Sequence, residues 1–171
     1  MTVLAITVLG HDRPGIIART AKALAGCGMN LEDSSMTLLR GHFAMTLICA
    51  GDAGVTAVER VLQPLADGAL IVDVRELPPE PELPSLGSEY LITVHGADRL
   101  GIVARLAGVI ADAGGNITDL TTRLSGDLYV LAAEVELPPT GDANGLSGAL
   151  AAAAGELGVD VTLRPIERDE L

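Results

Sequence analysis

Gly10-His11-Asp12-Arg13-Pro14-Gly15-Ile16 stands between an apolar, β-branched run and a run with helical spacing, and it reads as a strand-to-helix corner. The same corner returns 86 positions later as Gly96-Ala97-Asp98-Arg99-Leu100-Gly101-Ile102. From Ile6 to Asp33 that offset matches 15 of 28 positions without a gap, among them Asp12/Asp98, Arg13/Arg99, Gly15/Gly101, Gly28/Gly114, Asn30/Asn116 and Asp33/Asp119. The chain is therefore a duplication of one structural unit.

Such a corner can do two things. Asp12 can cap the helix, with Pro14 in its first turn and Gly15 relieving crowding. Alternatively, free backbone N–H groups at the positive end of a helix dipole can receive a carboxylate or phosphate. Capping requires neither the recurring arginine nor the recurring glycine.

At 171 residues the repeat favours two small domains, each with a thin core, which predicts assembly into a homodimer. Hydrophobic residues make up 49% with only Phe43, Tyr90 and Tyr129 aromatic, so the core is one of Ala, Val, Leu and Ile. The net charge of -12 is concentrated in residues 88–171, with 5 basic and 13 acidic side chains. A chain so charged repels phosphate backbones, and direct nucleic-acid binding is not expected. Cys27 and Cys49 lie in no CxxC context, so buried free thiols are expected, with no metal and no cofactor. His11, His42 and His95 are not repeat-equivalent, which argues against a shared catalytic or metal role. Ser34 and Ser35 have no nucleophile-elbow context, so no enzymatic activity is expected. No leader or membrane-length apolar run is present, and the chain is expected in the cytoplasm.

In order, the sequence predicts a strand at Val3–Leu9 with both faces largely covered. A helix follows, with the stripe Ile16, Ile17, Thr20, Ala21, Leu24 and Ala25. A hairpin of Leu31–Leu39 and Phe43–Ala50 turns at Arg40-Gly41-His42. A second helix starts near Asp52 and is bent or stopped by Pro64, and a strand spans Ala69–Arg75. The second half repeats this βαββαβ order. The fold class is α+β: two ferredoxin-like βαββαβ domains, each an antiparallel four-stranded sheet with its helices on one face. The domains are 1–76 and 88–171, the second with a short charged tail, joined by a proline-rich linker at 77–87. This topology is expected to bring the first corner near the start of the second strand, so that Asn30 and Asp33 approach Asp12 or its counterpart across a domain interface. Asn30 and Asn116 can equally occupy a left-handed turn after the helix.

With the repeat and the pieces Gly-x-Asp-Arg-Pro-Gly-Ile and Gly-Met-Asn-Leu-Glu-Asp-Ser in view, the chain resembles tandem ACT-domain proteins, and among them the glycine cleavage system transcriptional repressor family. The resemblance implies that a free amino acid binds at an interface of paired domains. Its carboxylate would meet the corner N–H groups, and Asn or Asp side chains would hold its amino group. Carried over by position, the ligand-binding residues are Asp12, Arg13, Pro14, Gly15, Ile16 and Asn30, and Asp98, Arg99, Gly101, Ile102 and Asn116. Leu100 stands where the first corner has Pro14, and Ala97 where it has His11. The implied function is a non-enzymatic amino-acid sensor that signals to a protein partner, in transcriptional control of amino-acid (glycine) metabolism. The alternatives are a regulatory part of an amino-acid enzyme such as phosphoserine phosphatase, or a ligand-free dimerisation module.

Overall fold

The structure, a computed structural model, describes residues 1–79 and 87–167. Most of the expected linker and nearly all of the charged tail lie outside the described residues. The chain divides near residue 81 into two compact units. The first runs β1 (Thr2–His11), α1 (Ile16–Gly26), β2 (Met29–Leu39), β3 (His42–Gly51), α2 (Val55–Leu62) and β4 (Leu70–Glu76). The second runs β5 (Ser88–Ala97), α3 (Ile102–Asp112), β6 (Asn116–Ser125), β7 (Leu128–Leu137), α4 (Ala143–Leu157) and β8 (Val159–Pro165). Each sheet is antiparallel and four-stranded, in the order β2-β3-β1-β4 and β6-β7-β5-β8. This is the α+β arrangement expected, built twice.

Period-two alternation decides which side of each sheet meets the helices. Leu4, Ile6 and Val8 of β1 are fully buried, and the register sets them beside Cys49, Leu47 and Met45 of β3. Ile16, Thr20 and Leu24 of α1 complete that layer with Val58 and Leu62 of α2. Each such aliphatic side chain contributes about 1.5–3 kcal/mol on burial. The second core repeats the plan with Ile92 and Val94, Leu131 and Val135, Ile102 and Leu106, and Leu146 and Leu150. Pro64 ends α2 as expected, and Gln63–Leu65 tightens into a 3₁₀ turn.

Three expectations are corrected. Within its unit β1 is covered on one face only, since Thr7 and Leu9 on the other face are exposed. The buried stripe of α1 is narrower than predicted, because Ile17 and Ala25 face outward. The first corner also does not lie near the start of β2. Gly10 and Leu38 both pair with Phe43, and the Asp12 N–H donates to the Gly41 carbonyl at 3.0 Å, so the corner sits at the end of β2, against the β2–β3 turn. Strand β2 runs parallel in space to β1, and α1 carries the chain back to the other end before β2 begins.

Candidate functional site

The glycine of each corner adopts the same backbone conformation. Gly15 precedes α1 with φ 88° and ψ 4°, and Gly101 precedes α3 with φ 90° and ψ 5°. This left-handed turn, open to glycine and strained for other residues, aims the chain from strand into helix. Neither helix receives a side-chain cap there, so the capping role expected for Asp12 is not the one it takes. Pro14 also lies before the helix rather than in its first turn. The N–H groups that open an α-helix have no intrahelical acceptor. At α1 those donors belong to Ile16 and Ile17, and at α3 to Ile102 and Val103. Ile16 and Ile102 are core residues, 2% exposed, and they anchor each corner to its helix.

The two corners differ in how they hold their arginine. Arg13 Nη2 donates to Asp67 Oδ2 at 2.6 Å, while Asp67 Oδ1 accepts from the Ala69 N–H at 3.3 Å. Asp67 thus fastens the first corner to the segment leading into β4. The Arg13 hydrogen bond holds the Asp67 carboxyl below the usual carboxylate range. The Nε of Arg13 is buried without a partner among the described residues. At the second corner the counterpart of that segment is the end of α4, where a Cβ on Gly158 would lie 3.5 Å from Arg99 Nη2. Arg99 therefore leans on a helix C-terminus, a favourable place for a cation, and has no carboxylate partner among the described residues. Around it Asp98, Gly101, Val103 and Tyr129 line an open depression of ≈ 550 Å³. Nothing in the sequence marked Asp67 as the partner of Arg13, because the two are 54 residues apart.

Asn30 and Asn116 sit elsewhere. Asn30 pairs with Ala50, which pairs in turn with Val3, so it lies at the far end of the sheet from Asp12. Nine residues of strand at ~3.3 Å each put about 30 Å between Asn30 and the corner of the same unit. Asn116 shares a rung with Glu136 and Glu89, far from Asp98 in the same way. Neither asparagine takes the left-handed turn: that conformation belongs to Gly28 (φ 79°) and Gly114 (φ 73°). Asp33 follows a β-bulge in β2 and lines a second depression with Glu32, Ile48 and Glu76, again away from the corner. A third, smaller cavity of ≈ 130 Å³ opens between α1 and β2, lined by Ile17, Thr20, Ala21, Leu31 and Met36. Cys49 is buried and Cys27 half-buried, both as free thiols, in keeping with the sequence reading. No helix among the described residues is long and apolar enough to cross a membrane.

A family model described as the ACT domain matches residues 2–74 and again residues 89–164. The glycine cleavage system transcriptional repressor of Escherichia coli is 28% identical over 163 residues, covering 90% of this chain and 85% of that protein. The protein of the same description from Shigella flexneri matches with the same figures. Among solved structures, an unknown protein from Galdieria sulphuraria superposes with a TM-score of 0.83 at 27% identity, over 97% of this chain and 99% of that one.

Proposed function

The chain belongs to the ACT-domain family, a regulatory rather than a catalytic family, and from that premise we propose that it senses a free amino acid at its strand-to-helix corners and signals to a protein partner. The observation that carries this reading is the pair of corners, whose glycines agree within 2° in φ and 1° in ψ and whose helices both lack a side-chain cap. Each offers N–H donors for a carboxylate and, in Asp12 or Asp98, an acceptor for an ammonium group. The two are not equal. Arg13 is already neutralised by Asp67, whereas Arg99 adds an uncompensated positive charge to the second corner, which we infer is the stronger carboxylate receptor. The likeness to a repressor of the glycine cleavage system supports transcriptional control of amino-acid metabolism as the setting. With a net charge of -12, repression runs through a protein partner in the cytoplasm rather than through DNA contact. Asn30 and Asn116 each lie far from the corner of their own unit and would enter such a site only across an interface of paired domains, as in the homodimer proposed here.

The test is a thermal-shift screen of the twenty amino acids, followed by amide NMR of the full chain with the best hit. The largest shifts are expected at Gly101, Ile102 and Val103, then at Gly15, Ile16 and Ile17. Replacement of Arg99 by Gln should weaken binding roughly 10- to 150-fold, as for loss of one charge-assisted hydrogen bond, and Arg13→Gln should do less. Shifts confined to the α1–β2 cavity would refute the corner assignment.

A further inference from the structure

His11 and His42 are 31 positions apart, yet the register places them directly opposite each other on β1 and β3. The next pairing is bonded, through Asp12 N–H to Gly41 O at 3.0 Å. Bonded and non-bonded rungs alternate in an antiparallel ladder, so the His11–His42 rung is a non-hydrogen-bonded one, where facing side chains come closest. The ring centroids are 4.8 Å apart with the planes inclined by 35°. Both side chains are exposed, and neither imidazole is engaged by a hydrogen bond or ion pair among the described residues.

We propose that His11 and His42 form a two-imidazole site for a borderline divalent transition metal such as Ni²⁺, Cu²⁺ or Zn²⁺. The separation fits one shared ion. With a metal–nitrogen distance of about 2.1 Å and the ring centroid about 1.1 Å behind the nitrogen, two imidazoles on one ion have centroids no more than about 6.4 Å apart, and the 4.8 Å separation lies within that reach. Imidazole nitrogen is a ligand these ions favour. The described residues contain no cluster of three or more His, Cys, Asp or Glu that could hold a metal ion, so the remaining coordination positions belong to water or to an added ligand. The site is confined to the first unit, because the equivalent rung of the second pairs Ala97 with Leu128. His95, the third histidine of the chain, is paired separately with Asp160 at 3.5 Å and serves as a control.

The experiment is calorimetric titration of the full, untagged chain with NiCl₂, using wild type, His11→Gln, His42→Gln and His95→Gln. One equivalent of Ni²⁺ is expected to bind wild type and His95→Gln with affinities within twofold, and each of the other variants should bind at least tenfold more weakly. A second readout does not depend on variants that fold: paramagnetic Ni²⁺ should broaden two histidine signals of wild type at substoichiometric metal and leave the third sharp. The proposal is overturned if wild type takes up no Ni²⁺, if either variant loses less than threefold, or if the broadened pair includes His95.

Discussion

Replacing Gly101 with Asn, Ala and Val in turn should produce a graded loss of stability set by backbone conformation alone. An added Cβ at Gly101 meets nothing within 4 Å, so no packing penalty enters. The φ of 90° is another matter, because an L-residue held in the left-handed region costs roughly 1–2 kcal/mol. Alanine should carry that cost in full. Asparagine tolerates the region better and should cost less than ~1 kcal/mol, while β-branched valine should exceed alanine. Gly15 has the same surroundings, with open space and φ 88°, so the corresponding series should track the first within ~0.5 kcal/mol. The assay is urea unfolding followed through the amide signals of Ile102–Asp112 for one series and Ile16–Gly26 for the other. A valine tolerated as well as asparagine, or a Gly15 series that departs from the Gly101 series by more than ~1 kcal/mol, would refute the claim that the corners are one strained device used twice.

The pair Gly10 and Gly96 should behave oppositely, as equivalent positions with unequal cost. A Cβ on Gly10 would run into the Ala69 carbonyl oxygen, which is backbone, whereas one on Gly96 first meets Val159 Cγ1 at 2.9 Å. Gly10→Ala should therefore lose about 3 kcal/mol and Gly96→Ala about 1 kcal/mol, measured by urea unfolding, with equal losses counting against the argument. Asp67, whose carboxyl is held low by the Arg13 hydrogen bond, adds stability that is present above the ordinary carboxylate range and is lost as pH falls through its lowered value. Between about pH 6 and about pH 2 the urea midpoint of Asp67→Asn should consequently fall less than that of wild type, and parallel profiles would contradict the sign. Leu24, 1% exposed between helix and sheet, should lose about 2–5 kcal/mol on truncation to alanine, read as a shift in the same α1 signals.

The repeat, the element order and the helix-facing residues were legible because each is local or periodic. Leu4, Ile6 and Val8 announce their face by alternation, and the 86-residue offset needs no structure to be seen. What was not legible depends on register between distant strands. The sequence shows His11 and His42 as unrelated histidines, and only the β1–β3 ladder makes them neighbours. Likewise Arg13 and Asp67 meet because β4 returns beside β1. The left-handed conformation of Gly15 and Gly101 is also invisible in the sequence, since the sign of φ leaves no trace in apolar periodicity. An offset repeat reports which residues are equivalent. It carries no information about which residues are adjacent, and so the expectation that the first corner lies near the start of β2 fails, the two being about 30 Å apart along the sheet of one unit.

That separation yields one more test of the proposed sensor. A free amino acid is far shorter than the distance from Asp12 to Asn30 of the same unit, so one molecule cannot touch both in a single copy. If Asn30 contributes to the Asp12 corner, it comes from a second chain, and ligand binding there is coupled to association of two copies. Diluting the protein through its dissociation range should weaken the apparent affinity for the amino acid found by the screen, and added ligand should shift the association constant by the same factor. Asn30→Ala should remove this concentration dependence and leave the residual affinity that the corner alone supplies. Sedimentation velocity with and without ligand, beside calorimetry at several protein concentrations, measures both quantities. An affinity independent of protein concentration across that range, with Asn30→Ala unchanged from wild type, would leave the corner as the whole of the site and Asn30 outside it.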